Sequence, residues 1–278
     1  MYVSIDVGKT NTRVSSSRDS KNIFKKEKFL TSQSLEEEKK LIKDAVYKVT
    51  DLEQIQAISV GLPGIIDRIS NTFYKVNTYP ELNGLPFQAF LQGFAEKIPK
   101  IIVENDALLA AFGEAVGGSG KEFDIVAYLT LSTGVGGARI SFKEIDQSYY
   151  FSEPGHQIIV QDGREDPFCG QKGCLQSYVS GPAFEEIYKM KPEECKDGNI
   201  WSDYSKHLAS GLINIISMWT PEVIVLGGGI SQKFDYIYSD LMDNLRKEKL
   251  FPIPEIRKSA LGDDAGLLGG FIYISRFI

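Results

Sequence analysis

The stretch Ile101-Ile102-Val103-Glu104-Asn105-Asp106-Ala107-Leu108 decides which fold this sequence predicts. Its apolar residues 101–103 indicate the end of a buried strand, and the residues from Ala107 onward indicate a helix. A strand that leads directly into a helix is typical of an α/β sheet, whose rim binds ligands. Asn105 and Asp106 lie at that junction and are therefore candidates for a ligand site. The alternative, that one of them only caps the helix, stays open at this point.

The composition is that of an ordinary globular protein with mixed charge. The chain has 278 residues, of which 42% are hydrophobic and 24% are charged, and its formal net charge is -6. This length allows one large domain or two domains of ordinary size. The acidic balance argues against nucleic acid or an anionic membrane as a partner. The three cysteines are an odd number, which argues against a disulfide framework.

No targeting or membrane-spanning segment is visible in the sequence. Met1 is followed directly by the strand-like stretch 2–5, with no basic region ahead of an apolar run. The longest apolar runs, such as 212–218, are interrupted by polar residues and are too short to cross a bilayer. We therefore expect a soluble, cytoplasmic protein with no membrane partner.

Strand and helix patterns alternate through the first part of the chain. Ser34 and Glu37 form a capping box for a helix that is predicted to run to about Val49. A mostly apolar strand over 55–60 follows, and a further helix is predicted over about 86–98. This alternation of strands and helices points to an α/β sheet.

Two glycine-containing turns, each placed between two predicted strands, have similar compositions. The first is Asp6-Val7-Gly8-Lys9-Thr10-Asn11-Thr12, and the second is Ser132-Thr133-Gly134-Val135-Gly136-Gly137. Exposed amides and a threonine hydroxyl in such a turn can bind an anion. One such turn alone would favour a plain hairpin. The matched pair indicates a duplicated fold that binds one anionic ligand from opposite sides.

The segment that follows the second turn contains potential metal ligands. His156, Cys169 and Cys174 supply three soft ligands, with two glycines between the cysteines. A structural zinc site uses four ligands, so this set is one ligand short.

The last third of the chain combines buried helices with further glycine-rich turns. The apolar stripe of a long helix over 201–219 is typical of a protein core. A strand over 223–226 is followed by Gly227-Gly228-Gly229, which permits a ligand to approach the backbone closely. Ser231 is predicted to cap the next helix, and the stretch 261–270 leads into a final apolar helix.

Taken together, these motifs resemble the ROK group of the sugar-kinase, hexokinase and actin-like superfamily. The matching segments are Asp6-Val7-Gly8-Lys9-Thr10, Glu104-Asn105-Asp106-Ala107, Ser132-Thr133-Gly134-Val135-Gly136-Gly137 and Glu153-Pro154-Gly155-His156. The resemblance implies an α/β fold of two ribonuclease-H-like domains, of the actin-like ATPase type, that flank a central cleft. The implied domains are 1–106 with 264–278, and 107–263, and the C-terminal helix would return to pack on the N-terminal domain.

The resemblance also implies an activity, which is ATP-dependent phosphorylation of a hexose hydroxyl, by default the 6-OH. Asp106 would take the proton from that hydroxyl as general base. The implied sugar-binding residues are Gly64, Asn83, Asn105, Asp106, Glu153, His156 and Gln176. The implied nucleotide-binding residues are Asp6, Gly8, Lys9, Thr10, Asn11, Thr133, Gly134, Gly227 and Gly228. Asp6 would also be an indirect ligand of Mg²⁺.

Three positions depart from the family pattern. In the family motif Cys-x-Cys-Gly-x-x-Gly-Cys-x-Glu, Pro167 replaces the first cysteine and Gln176 replaces the final glutamate. Lys9 stands where the family often has glycine. Zinc would keep the three ligands named above, and water or a carboxylate such as Glu165 or Asp166 would take the fourth position.

Several alternatives remain within and beyond the kinase interpretation. Glucose is the default substrate, and N-acetylmannosamine, N-acetylglucosamine and fructose are the runners-up. A sugar-responsive repressor is disfavoured because the first phosphate motif begins at residue 6 and the charge is acidic. A sugar-binding protein without catalysis is disfavoured because Asp6, Asp106 and both turns are present. The resemblance also allows a homodimer.

Overall fold

The computed structural model describes residues 1–51, 53–94, 98–146 and 148–277. The chain divides into two units. Unit 1 consists of Met1–Gly117, Asp146–Phe151 and Asp263–Ile278, and unit 2 consists of Gly118–Ile145 and Ser152–Gly262. Each unit has its own sheet and its own hydrophobic core.

The elements below are given in chain order. The strands are β1 (Tyr2–Val7), β2 (Asn11–Ser17), β3 (Lys25–Leu30), β4 (Ala57–Leu62), β5 (Ile65–Asp67), β6 (Thr72–Lys75), β7 (Lys100–Asn105), β8 (Ile125–Leu131), β9 (Val135–Ser141), β10 (Glu144–Ile145), β11 (Val223–Gly227) and β12 (Glu255–Lys258). The α-helices are α1 (Leu35–Thr50), α2 (Gln88–Leu91), α3 (Asp106–Gly117), α4 (Gln176–Val179), α5 (Gly181–Tyr188), α6 (Gly198–Trp219), α7 (Phe234–Leu245) and α8 (Ala265–Ser275). Short 3-10 helices lie at Pro80–Leu82, Pro154–His156, Gly229–Lys233 and Gly262–Asp264. Across the residues described, no helix has the length and apolar character needed to span a membrane.

The two main sheets have the same topology. Their strand orders are β3-β2-β1-β4-β7 in unit 1 and β10-β9-β8-β11-β12 in unit 2. In both sheets the central strand, β1 or β8, pairs antiparallel with the next strand and parallel with β4 or β11. The predicted duplication of an α/β fold is thereby confirmed. Because β1, β4 and β7 are parallel, their carboxyl ends share one edge, and the same holds for β8, β11 and β12.

The boundaries of α1 follow from the capping residues in the sequence. Ser34 Oγ accepts a hydrogen bond from Glu37 N at 3.5 Å, as the capping box predicts. Asp51, with φ of 50°, ends the helix in the left-handed conformation that is common at C-terminal caps. The apolar stripe of α1, including Ile42 and Val46, is buried in the core of unit 1.

The helix α8 returns to unit 1, where it packs on β1, β4 and α3, as the sequence predicts. Glycines allow α3 and α8 to approach each other closely. A Cβ atom on Gly113 would lie 2.5 Å from Ala265 O, and one on Gly269 would lie 1.8 Å from Leu109 O. No larger residue fits at these two positions without moving a helix.

Two strand and helix boundaries in unit 1 differ from the prediction. β4 does not end at Val60 but continues through Gly61 to Leu62, because both residues pair with β7. The helix predicted over about 86–98 is short, and α2 covers only four residues. Part of that prediction, residues 95–97, lies outside the described residues.

The cap predicted at Ser231 is wrong. Ser231 lies inside the 3-10 helix Gly229–Lys233 that precedes α7. Its Oγ donates to Gly228 O at 2.7 Å, so the hydroxyl closes the preceding turn instead.

Candidate active site

The junction between β7 and α3 presents Asn105 and Asp106 at the carboxyl edge of the unit 1 sheet. Asn105 lies opposite Leu62 of β4. Its Oδ1 accepts a hydrogen bond from Leu108 N at 3.0 Å, and its Nδ2 donates to Gly64 O at 3.2 Å. Asn105 therefore caps α3, and the Asp106 carboxylate is left for another role.

The Asp106 carboxylate is partly buried beside the end of β4. A Cβ atom on Gly61 would lie 3.3 Å from Asp106 Cα, so the glycine gives the start of α3 room beside the sheet. Burial raises the pKa of Asp106 to about 7, and the charge on Asp6 acts in the same direction, against the Ala107 amide. A carboxylate that titrates near neutral pH is suited to accept a proton.

Asp6 lies at the same sheet edge, where β1 ends, and it faces Arg13 of β2. Arg13 Nη1 lies 3.3 Å from Asp6 Oδ2, and Arg13 Nη2 donates to Asp263 Oδ2 at 2.9 Å. Burial raises the pKa of Asp6 to about 6, although the Arg13 guanidinium opposes that rise. A carboxylate and a guanidinium thus lie together next to the first glycine turn.

The turn between β1 and β2 is fixed by hydrogen bonds within the turn and from Thr31, and its tip is exposed. Gly8 N donates to Asn11 O at 3.0 Å, and a Cβ atom on Gly8 would lie 2.7 Å from that oxygen. Thr31 Oγ1 donates to Gly8 O at 2.7 Å, and Thr31 N donates to Thr10 O at 3.1 Å. Lys9 and Thr10 are exposed at the tip. The tip of this glycine-containing turn is therefore the part that could contact an anion.

The second turn, residues 132–134 between β8 and β9, is held by Gln176. Ser132 N donates to Gly134 O at 3.0 Å, which closes the turn around Thr133. Gln176 Oε1 accepts from Val135 N at 2.9 Å, and Gln176 Nε2 donates to Asp166 Oδ2 at 2.7 Å. The neutral amide of residue 176 therefore connects the second turn with the loop that carries the cysteines.

Gly227 and Gly228 follow at the same edge of the unit 2 sheet, where β11 ends. A Cβ atom on Gly227 would lie 2.3 Å from Tyr128 Oη. Gly228 has φ of 80°, and a Cβ atom there would lie 2.5 Å from Leu131 O. These two positions therefore require glycine, and they keep the backbone after β11 close to the end of β8.

The Glu-Pro-Gly-His motif forms the 3-10 helix Pro154–His156, which packs against β9. His156 N donates to Glu153 O at 3.0 Å, so Glu153 begins this helical turn. A Cβ atom on Gly155 would lie 2.0 Å from Val135 O, which explains the glycine at that position. The motif is therefore fixed directly behind the second turn.

The structure brings His156, Cys169 and Cys174 together in unit 2, as the sequence predicts. Their candidate ligand atoms all lie within 4.8 Å of one another. One nitrogen and two sulfur donors in this arrangement fit a zinc ion that keeps one further coordination position.

Neither Glu165 nor Asp166 joins this cluster in the part of the chain that the structure describes. Asp166 is buried, and its Oδ1 accepts hydrogen bonds from Phe168 N at 2.7 Å and Cys169 N at 3.1 Å. Its Oδ2 accepts the bond from Gln176 described above. Asp166 thus orders the loop, and its Oδ2 also accepts a hydrogen bond from Cys174 Sγ at 3.7 Å, so water or a carboxylate as the fourth zinc ligand stays a prediction.

Gly64 and Asn83 both hold the hairpin formed by β5 and β6. Gly64 has φ of 133°, and a Cβ atom there would lie 2.6 Å from Lys75 O. Asn83 Oδ1 accepts a hydrogen bond from Val76 N at 2.7 Å, just after β6. Both residues therefore contribute to the shape of the segment that follows β4.

Sequence reasoning missed Arg13 and the ion pair between Arg68 and Glu104. Arg68 Nε and Nη2 donate to Glu104 Oε2 at 3.1 Å and 2.9 Å. Arg13 had a local signal, because it pairs with Asp6 across the β1–β2 hairpin. Arg68 and Glu104 are 36 residues apart, and no pattern in the sequence pairs them.

Comparison with known proteins connects these features with one family. The model of the ROK family matches residues 2–276. An N-acetyl-D-glucosamine kinase of Yersinia enterocolitica is 28% identical over 79% of this chain and 81% of that protein. A glucokinase of Thermotoga maritima is 25% identical over 99% of this chain and 98% of that protein. The crystal structure of a ROK family glucokinase from Streptomyces griseus, in complex with glucose and AMPPNP, is similar with a TM-score of 0.84, at 22% identity and 98% coverage of both chains.

Proposed function

The chain belongs to the ROK family and is a sugar kinase, and we propose that it transfers the γ-phosphoryl group of ATP to the 6-OH of a hexose with Asp106 as general base. One observation carries this proposal. The partly buried Asp106, with its pKa raised to about 7, lies at the same edge of the sheet as the end of β1 and the first glycine turn. Asn105 serves as the helix cap, so the Asp106 carboxylate is not needed for that role.

A sugar hydroxyl is a poor nucleophile, because it is hardly ionised near neutral pH. A carboxylate within hydrogen-bond reach can take its proton as the oxygen attacks the phosphorus. Asp106 suits this role because its pKa lies close to neutral pH, so the base is largely ionised above pH 7 and still holds a proton well. The charge on Asp6 contributes to that property, because it disfavours a second negative charge nearby.

Phosphoryl transfer depends mainly on positioning and on neutralisation of charge. We assign phosphate binding to the turn that contains Gly8, Lys9, Thr10 and Asn11, because a glycine turn with an exposed tip can bind an anion. The corresponding residues of unit 2 are Thr133, Gly134, Gly227 and Gly228.

Asp6 is assigned as the indirect ligand of Mg²⁺ in this proposal. Its carboxylate is a hard oxygen donor next to the first turn, which fits a hydrated magnesium ion. When bound, Mg²⁺ supplies neutralisation of the negative charge on the phosphate groups. The Arg13 guanidinium, shared between Asp6 and Asp263, balances the carboxylates at this edge of the sheet.

Sugar binding is assigned to the residues that the family resemblance implies. The proposed contacts are Gly64, Asn83, Asn105, Glu153, His156 and Gln176. Three of these are neutral amides, which can both donate to and accept from sugar hydroxyls. Gln176 already accepts from Val135 N and donates to Asp166, so it offers a sugar less capacity than the glutamate of the family pattern.

Glucose is the first candidate substrate, since a glucokinase matches almost the whole chain. N-acetyl-D-glucosamine is the second candidate, and the observation that favours it is the higher identity of the kinase named for that sugar. Glucose and N-acetyl-D-glucosamine differ only in the substituent on carbon 2, so the pocket around that carbon would determine which sugar binds. N-acetylmannosamine and fructose complete the set to be tested.

We also propose that His156, Cys169 and Cys174 bind one zinc ion, with water in the fourth position. The grouping of their ligand atoms within 4.8 Å supports this assignment. When bound, zinc would fix the orientation of His156 and thereby of the Glu-Pro-Gly-His motif. The homodimer implied by the family resemblance is likewise a proposal, which light scattering on the purified protein tests.

The kinase proposal is tested with a coupled assay of ADP release. Purified protein with Mg²⁺ and ATP is offered glucose, N-acetylglucosamine, N-acetylmannosamine, mannose and fructose in turn. We expect turnover with at least one sugar, and the ratios of kcat/KM then identify the substrate. Background ADP release with every sugar would contradict the proposal.

A further inference from the structure

A partly buried ion pair joins the β5–β6 hairpin to β7, the strand that precedes Asp106. Arg68, directly after β5, donates through Nε and Nη2 to Glu104 Oε2 at 3.1 Å and 2.9 Å. The side chains of Arg68 and Glu104 are only 21% and 6% exposed. Such a pair is expensive to break, because the remaining partner would be left as an unpaired charge in the interior.

The Glu104 carboxylate also interacts with Tyr273 of α8, which favours the charged form of the carboxylate. Tyr273 in turn packs against Phe112 of α3, with ring centroids 5.5 Å apart. Glu104 therefore has a fixed position, and Arg68 meets a rigid partner rather than a mobile side chain.

A second hydrogen bond joins β7 to the hairpin, at Gly64, four residues before Arg68. Asn105 Nδ2 donates to Gly64 O at 3.2 Å, and Gly64 immediately precedes β5. With one connection alone, the hairpin could pivot about the bonded residue. The two connections, at residues 64 and 68, fix both its position and its direction relative to Asn105.

We propose that Arg68 is a positioning residue for the kinase reaction, which through Glu104 holds the hairpin segment 64–67 in register with Asn105 and Asp106. This inference rests on the proposed function, which assigns Gly64 and Asn105 to the sugar and Asp106 to the base. A sugar bound against the hairpin then presents its hydroxyl to the carboxylate at a fixed distance. Misplacement of reacting groups by about 1 Å can cost a factor of about 100 in rate.

Arg68 acts by geometry and not by its charge on the base. The influences on the titration of Asp106 are burial, the Asp6 carboxylate and nearby backbone amides, and Arg68 is not one of them. Loss of Arg68 should therefore change how the sugar is used, while the pH at which the base ionises stays the same.

The test compares three variants with the wild type at saturating and limiting sugar. The double variant R68Q/E104Q removes both charges together, so no buried charge is left unpaired and the fold is preserved. The variant Arg68→Lys keeps the charge but loses the planar fork of donors. The control is Arg18→Gln, because Arg18 pairs with Glu53 at the same 2.9 Å but with side chains 60% and 45% exposed.

We expect R68Q/E104Q to lower kcat/KM for the sugar by about 10- to 100-fold, with KM for ATP and the midpoint of the pH profile unchanged. Arg68→Lys should recover part of the loss, and Arg18→Gln should behave as the wild type. The inference is overturned if R68Q/E104Q matches Arg18→Gln in kcat/KM. It is also overturned if kcat/KM for the sugar and kcat/KM for ATP fall by the same factor, equal to the loss of folded protein. A wild type that turns over no sugar contradicts the proposed function itself, whereas an active wild type with an unaffected double variant contradicts this inference alone.

Discussion

Asn105 and Asp106 are neighbours in the sequence, but their side chains have different roles at the start of α3. The Asn105 amide is bonded at both ends, to Leu108 N and to Gly64 O. The Asp106 carboxylate accepts a hydrogen bond from Ala107 N at 2.9 Å and interacts with the charge of Asp6. Because Asn105 caps the helix, Asp106 is the residue at this junction to which we assign the role of base.

Replacing Asp106 by asparagine should abolish phosphoryl transfer while sugar binding survives. The amide has nearly the shape of the carboxylate but cannot take a proton, so kcat should fall by about 100- to 10,000-fold. The measurements are the coupled assay and sugar binding by calorimetry. The circular dichroism spectrum of Asp106→Asn, compared with that of the wild type, checks that the fold is retained. Near-normal turnover of Asp106→Asn would show that the base lies elsewhere.

The rate should depend on pH through the same carboxylate. The base must be ionised, so kcat/KM should rise with pH and level off above an apparent pKa of about 7. Asp6 and Asp106 influence each other, so the measured value belongs to the pair. Asp6→Asn removes a negative charge and should move the rising limb to lower pH. A limb that stays in place in that variant would contradict the coupling.

The stability of the protein should also depend on the ionisation of Asp106. It should fall with rising pH, whereas the rate should rise. Folding raises the pKa of Asp106 from 3.8 to about 7, so the folded state favours the protonated acid. Its contribution to stability is therefore lost progressively as pH rises through that window. Asp106→Asn should melt at a higher temperature than the wild type at pH 8, and the difference should shrink at pH 4. Equal melting temperatures at pH 8 would contradict the burial cost.

The sequence predicted the residues that follow local rules and missed those that depend on distant contacts. Asp6 and Asp106 were proposed as site residues because each stands at the end of a predicted strand, within a motif of several residues. Glu104, by contrast, was part of the same quoted motif, yet its partner Arg68 comes from a hairpin with no signal of its own. Asp166 was named only as one possible fourth zinc ligand, and the sequence did not reveal that its Oδ1 accepts hydrogen bonds from the Phe168 and Cys169 amides.

At the scale of secondary-structure elements, the contact between α3 and α8 depends on glycine. Gly269→Ala should destabilise unit 1 by about 1–3 kcal/mol, because the added Cβ atom would lie 1.8 Å from Leu109 O. Chemical unfolding followed by circular dichroism measures this effect. Gly198→Ala is the control, since no heavy atom lies within 4 Å of a Cβ atom at the first position of α6. Equal stability of the two variants would show that α3 and α8 separate without cost.

The loop that carries the cysteines should bind zinc with three protein ligands. Protein purified without chelators should contain about one zinc per chain, and Cys174→Ser should reduce this to less than about a tenth. Cys195→Ser is the control, because Cys195 is buried outside the cluster and should leave the zinc content unchanged. Pro167→Cys should hold zinc against weak chelators better than the wild type, since it restores a fourth ligand. Wild-type protein that contains no zinc when purified without chelators would contradict the proposed zinc site.

Element boundaries were harder to predict than element types. The capping box of α1 acts over a few residues, so Ser34 and Glu37 located the start of that helix. The extent of β4 depends on pairing with β7, which lies more than thirty residues later in the chain, so the sequence predicted a strand that ends at residue 60. Ser231 has the residue type of a cap, but the turn at Gly228 uses its hydroxyl first.

At the scale of the whole molecule, two units repeat one topology and yet are not two consecutive halves of the chain. Unit 1 takes its helix α8 from beyond unit 2 and also contains the segment Asp146–Phe151. Phe151 belongs to the core of unit 1, and the Tyr150 ring lies 4.9 Å from that of Tyr74. The duplicated turns predicted the repeat, but no sequence pattern marked the short segment, because its membership depends on tertiary packing.

A chain that ends at Gly262 should lose the fold of unit 1 and keep that of unit 2. Without α8, the faces of β1 and β4 that it covers would be open to water. Limited proteolysis should then yield a protected fragment close to residues 118–262, and kinase activity should be absent. A truncated protein that resists proteolysis over residues 1–117 would show that α8 is dispensable for unit 1.

The late position of α8 also sets the order in which the nascent chain can acquire structure on the ribosome. The residues 118–262 must all be translated before α8 is available, which takes on the order of ten seconds at typical elongation rates. During that interval the sheet of unit 1 has been synthesised but lacks its covering helix, while unit 2 can already close its own core. The first unit in the sequence is thus the last to be completed, and the nascent sheet is a natural client for chaperones that shield apolar strands during translation.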